Sequence, residues 1–173
     1  MSDIEARLTE LTDRLQRVED ELAIIRLIAS YGPLVDSGSA AEVGALWTED
    51  GIYDVDELYM GSRADIVAMV NGESHQGLIH KGTAHFLGPA AVTVRGDTAV
   101  AVCESVLMVH HKERFVPARA GIHHWELTRT PDGWQTTRRT SRLLDGTPDG
   151  HALAHAGGRG EARPDSVTST PQA

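Results

Sequence analysis

The spacing of apolar residues changes once along this chain, and that change limits the folds open to it. From Leu8 to about residue 80 the apolar positions recur mostly at steps of three and four, whereas from Ala91 they alternate. Helical spacing followed by strand spacing predicts an α+β domain with helices placed over one antiparallel sheet. A length of 173 residues and a 40% hydrophobic composition suit a single domain with a substantial core.

Leu8, Leu11, Leu15, Val18, Leu22 and Ile25 form a heptad seam, with Arg14, Arg17, Glu19, Asp20 and Glu21 on the outer positions. The seam is expected to lie on a partner chain; a helix resting on its own domain is the other reading. From Ile24 to Val35 the apolar positions are too many for one seam, so this stretch is expected to be a buried helix. Gly32 and Pro33 should loosen or bend it, and Asp36 falls at its end. A short helix over 40–47, a strand over 52–55 and a helix over 62–70 follow, and the glycine-containing stretch 71–82 reads as an irregular rim loop.

Strands are expected over 91–94, 98–109, 121–129 and 134–144, joined by turn signals at Gly96-Asp97 and Pro131-Asp132-Gly133. The tail is rich in glycine, alanine and proline without periodicity, which predicts disorder. The expected organisation is a helical extension over 1–23, a domain over 24–145 and a flexible tail over 146–173.

Charge and cysteine content narrow the partners. A net charge of −9 argues against a nucleic-acid groove or an anionic membrane surface, leaving a small neutral molecule as the expected ligand. Cys103 is the single cysteine, so no intrachain disulfide forms. The acidic start has no signal-peptide pattern and no stretch approaches a membrane span, so a cytoplasmic location is expected. Nine histidines raise the question of a metal, but their spacing matches no ligand motif, and phosphate and dinucleotide loops are absent.

Two readings hold for each chemical group. Asp36 is either a helix-end carboxylate bonded to nearby backbone or a base, or the partner of one. His85, flanked by apolar residues, is a buried core histidine or the chain's best proton carrier at neutral pH. Tyr31 is a core aromatic or a donor to a substrate oxygen. His110 shares one face of its strand with Glu104, and one member each of His110-His111 and His123-His124 should face inward.

The segments IRLIASYGPLVDSGSAAEVGALWTEDGIYDV, HFLGPAAVTVRGDTAVAV and DGWQTTRRTSRLLDG give the chain its resemblance to the SnoaL-like branch of the nuclear transport factor 2-like superfamily. The resemblance implies a strongly curved sheet forming a cone, with helices covering an apolar cavity. It also implies an enzyme working without cofactor, similar to scytalone dehydratase, dehydrochlorinase, bile-acid dehydratase, steroid isomerase or polyketide cyclase. Carried across, it makes Asp36, His85, Tyr31 and His110 the candidate catalytic residues. Tyr53, Trp47, Phe86 and Met108 are the candidate contacts to a small hydrophobic substrate. On this reading His85 removes a proton, Asp36 orients it, and Tyr31 and His110 donate to the oxygen where charge develops, giving elimination or isomerisation in a homo-oligomer, dimer or trimer. The rival readings are a non-catalytic binding module and an accessory subunit similar to that of ring-hydroxylating dioxygenases.

Overall fold

The computed structural model describes residues 3–169, so residues 1–2 of the expected extension and 170–173 of the expected tail lie outside the described residues. A first helix, α1, runs unbroken over Asp3–Asp36. Its inward face is set by Asp20, Ile24, Ile28, Tyr31 and Val35, all buried at helical spacing. Asp20 fastens this face to the sheet: it accepts two hydrogen bonds from Arg129, at 2.8 and 2.6 Å, and one from Trp134 Nε1 at 3.1 Å. These donors hold its carboxyl below the ordinary range against the opposing effect of burial, the Arg129 bonds being the largest cause.

Gly32 and Pro33 do not end the helix. The chain is within one turn of its terminus there, and Ser37 N–H, Ser39 N–H and Gly38 N–H close onto the carbonyls of Pro33, Leu34 and Val35. A β-carbon on Gly32 would stand 2.3 Å from the His85 carbonyl oxygen, so this glycine serves a close approach of helix to strand.

After α1 come α2 (Ala40–Ala45), β1 (Trp47–Val55), β2 (Leu58–Met60) and α3 (Arg63–Asn71). Ser62 caps α3 by accepting from the Asp65 N–H. The stretch expected as a rim loop is a further helix, α4 (Glu73–Lys81). Its signals are an extended Gly72 at the N-cap, Glu73 in the first turn and His80 and Lys81 in the last, all favourable to the helix dipole. Gly77, which suggested a loop, faces open space and is merely tolerated.

The rest is sheet: β3 (Thr83–Leu87), β4 (Ala91–Arg95), β5 (Thr98–His111), β6 (Arg114–Thr130) and β7 (Gly133–Leu143). The order is β2-β1-β7-β6-β5-β3 with β4 also on β5; β1 and β7 run parallel and the other pairs antiparallel. The sheet is curved and does not close, and the architecture is α+β as expected. Along β5 and β6 the odd-numbered Ala99, Ala101, Cys103, Trp125 and Leu127 join the core beneath α1.

The even-numbered Val102 and Ile122 face the opposite side, where the tail departs from the expected disorder. There α5 (Pro148–Gly158) buries Leu153 and Ala156, and Val167 beyond it is 1% exposed. The reason lies in the same small residues that suggested flexibility. A β-carbon on Gly157 would lie 2.5 Å from Val102 Cβ, so the glycine lets α5 sit directly on the sheet. Among the described residues no helix is long and apolar enough to cross a membrane.

Candidate active site

The last residue of α1 and the middle of β3 meet because Gly32 lets their backbones touch. Asp36 Oδ2 accepts the backbone N–H of His85 at 2.7 Å, and Oδ1 accepts the ring Nδ1–H at 2.6 Å. A carboxylate only accepts, so the second bond places a ring proton on Nδ1, and in the neutral ring the lone pair is on Nε2. Burial acts to raise the Asp36 carboxyl, but the ring and backbone hydrogen bonds from His85 outweigh it and hold the group below the ordinary range. Both side chains keep about a fifth of their surface exposed. Behind them His75 is buried with Nε2–H donating to the Val35 carbonyl at 3.0 Å, its ring 6.0 Å from that of His85.

His85 lines a cavity of about 480 Å³. Val55, Leu58, Leu78, Phe86, Leu87, Val106 and Leu107 supply apolar wall, and Tyr53, Ser105, Arg119, His123 and Arg139 the main polar groups. Arg119 is bound to Asp56 by Nε at 2.9 Å and Nη2 at 2.8 Å.

Arg139 is different. It is 1% exposed, and its guanidinium carbon lies 4.0 Å from the Tyr31 ring centre, 4.3 Å from Trp125 and 4.5 Å from Tyr53. Nη2 donates to His123 Nε2 at 3.1 Å, while Nε and Nη1 have no hydrogen-bond partner among the described residues. Aromatic faces offset part of the cost of burying this cation, and its two orphan groups are left as unmatched donors within the fold. Burial, with Arg139 and Arg119 nearby, pushes His123 well below the usual histidine range, which keeps it neutral.

The eight residues singled out from the sequence divide clearly. His85, Tyr53 and Phe86 line the cavity, and Asp36 stands behind His85. Tyr31 and Trp47 lie in the core at 2% and 0% exposure, outside the lining, their rings 6.0 Å apart. Burial raises the Tyr31 hydroxyl well above its usual value, so it is protonated. Met108 and His110 are not among the residues that line the cavity, and His110, exposed, rests on Phe115 with ring centres 5.2 Å apart. Of the adjacent histidines in β6, His123 faces the cavity, and His124 bonds the Glu161 carbonyl on the other side.

Arg139 and Arg119 were not singled out, and His123 entered only as one of the pair His123-His124. Arg138-Arg139 on one strand did carry a signal, since neighbouring side chains point to opposite sides and one of the two must turn inward. Among the described residues no three His, Cys, Asp or Glu are placed to hold a metal ion.

Comparison with known proteins adds ancestry to this geometry. A family model described as a SnoaL-like domain matches residues 16–140. An NTF2-like protein with a cystatin-like fold from Novosphingobium aromaticivorans is 46% identical, with 84% of this chain and 96% of that one covered and a TM-score of 0.83. Hexachlorocyclohexane dehydrochlorinase LinA-type3 from Novosphingobium barchaimii LL02 is 16% identical over 76% and 90% of the two chains, with a TM-score of 0.66. ActVI-ORFA from Streptomyces coelicolor is 20% identical over 73% and 96%, with a TM-score of 0.64. At such identities the last two show a shared fold alone. No curated protein matches the chain. With the family model spanning most of the helix-covered sheet, and a relative of nearly half identity following the same path, the chain belongs to the SnoaL-like domain family of the NTF2-like superfamily.

Proposed function

We propose that this protein is an acid/base enzyme, working without a cofactor, that moves a proton within a small, largely apolar molecule bearing an oxygen function. The observation that carries the reading is the 2.6 Å bond between Asp36 and His85, with His85 on the wall of a mostly apolar cavity. His85 Nε2 takes a proton from carbon next to a carbonyl, and Asp36 stabilises the imidazolium that forms. Negative charge moves to the carbonyl oxygen, where Arg139 Nε and Nη1 supply donors. The proton then returns to a different carbon, giving isomerisation, or passes to a departing hydroxyl, giving elimination. General acid–base help of about 10²- to 10⁴-fold suffices for such an activated C–H bond.

The test is exchange of α-protons for deuterium, followed by NMR, in a panel of cyclic ketones and β-hydroxyketones in deuterated water. The wild type should accelerate exchange in at least one member, and His85→Ala, kept folded by circular dichroism, should return the rate to that of buffer. Equal acceleration by His85→Ala would overturn the assignment of the base. Binding of the ketones without any exchange would favour a non-catalytic pocket instead.

A further inference from the structure

The outward face of α1 carries an apolar stripe that none of the described residues covers. Leu8, Leu11, Leu15, Val18, Leu22 and Ile25 are each 40 to 61% exposed, and Ile4 extends the stripe at 70%. The steps between them are alternately four and three residues, over a length of about 32 Å at 1.5 Å per residue. At about 100° per residue the stripe lies about 150° around the helix from the buried face of Asp20, Ile24 and Ile28. The domain therefore does not obstruct it. Monomers rarely leave so long an apolar strip in water.

We propose that a second copy of this chain covers the stripe, the two α1 helices packing antiparallel about a twofold axis. In that register Leu8 meets Ile25 of the second copy, Leu11 meets Leu22 and Leu15 meets Val18, each layer occurring twice by symmetry. Ile4 then falls opposite Ala29, an exposed small residue where the helix joins the domain. The flanking positions match as well: Arg14 faces Glu21, Glu5 faces Arg26, Thr12 faces Glu19, and no like charges meet. This self-complementarity under a twofold rotation is what selects a second copy as the occupant.

A parallel, in-register pair also brings opposite charges together, Arg14 with Glu19 and Glu21 with Arg26. Residue type separates the two orientations. The parallel pair would stack Leu8, Leu15 and Leu22 on themselves at one core position and Ile4, Leu11, Val18 and Ile25, three of them β-branched, on themselves at the other, a pattern that favours assemblies larger than two strands. The antiparallel pair mixes the two sets in every layer.

Light scattering on the full chain at about 10 μM should give twice the 18.7 kDa chain mass. Leu15→Glu should halve that mass and leave the circular dichroism of the domain and the deuterium exchange unchanged. Orientation is read from Leu8→Cys and Ile25→Cys with a short thiol cross-linker, Cys103 being buried. A mixture of the two variants should link, and neither should link to itself, since antiparallel packing sets the Leu8 positions about 25 Å apart. A wild type of 18.7 kDa up to about 100 μM, or an assembly indifferent to Leu15→Glu, would overturn the proposal. Linking of Leu8→Cys to itself would overturn the antiparallel register.

Discussion

Replacing Gly32 by alanine sets two effects of opposite sign against each other. In a helix interior alanine is favoured over glycine by about 1 kcal/mol, so helix propensity alone expects a more stable protein. The new β-carbon, however, would stand 2.3 Å from the His85 carbonyl oxygen, about 1 Å inside the closest contact that β-carbons ordinarily make. Both sides of this contact are backbone, and no flexible side chain can turn aside. Overpacking of this kind costs about 1–3 kcal/mol, and the rigid partners place Gly32→Ala at the upper end. The alternative response, a shift of β3 by about 1 Å, would stretch the 2.6 and 2.7 Å bonds from Asp36 beyond hydrogen-bond range, at about 1.5–3 kcal/mol each. After subtracting the propensity gain, a net loss of about 2 kcal/mol is expected, or about 4–8 °C in melting temperature for a domain of this size. Urea denaturation at neutral pH measures it, and the deuterium exchange assay should fall in parallel because a misplaced base reacts poorly. A Gly32→Ala protein as stable as the wild type, with exchange intact, would refute the view that this approach holds Asp36 and His85 together.

Four further outcomes are expected. Asp36 titrates below its unfolded value, so its contribution to stability is present above about pH 4 and lost as pH falls through the folded value; acid-denaturation curves of Asp36→Asn should lack that step. His123 is held neutral, so the unfolded chain binds its proton first and stability should begin to decline below about pH 6.5, a limb that His123→Gln removes. Arg139→Met should change unfolding free energy little or raise it, because a buried cation gives way to an apolar chain, while proton exchange drops by about 10²- to 10³-fold; a large loss of stability with exchange retained would make Arg139 structural. Leu153→Ala should cost about 2–5 kcal/mol in denaturant unfolding, since Leu153 is fully buried under α5, and a cost near zero would mean that α5 does not dock.

What the sequence disclosed followed from periodicity and turn chemistry. The buried stripe of α1, the alternation in β5 to β7 and the turns around Gly96 and Gly133 follow local rules, and the structure keeps them. Glycine was the main source of departure. Gly77 is tolerated inside α4, Gly157 seats α5 on Val102, and Gly32 admits the His85 carbonyl, yet each resembles a breaker when only its chain neighbours are visible. The cone shape of the sheet and the meeting of Asp36 with His85 were reached through resemblance, because 49 residues of chain separate the pair and spacing cannot reveal such a contact. Arg139 was passed over because an arginine inside aromatic surroundings contradicts ordinary burial preferences, and the three rings that make it tolerable come from α1, β1 and β6.

Since α1 carries Asp36 at one end and the exposed stripe along the other without interruption, the angular setting of each is geared to the other. One residue inserted between Ile28 and Tyr31 would turn everything upstream by about 100° relative to the cavity, carrying Ile24 and Ile28 out of the core and the stripe toward it. Seven inserted residues would bring the stripe back to within about 20° of its present bearing, lengthening the rod by about 10 Å. Natural length variation in this helix should therefore come in steps close to whole numbers of turns, of about 7, 11 or 18 residues.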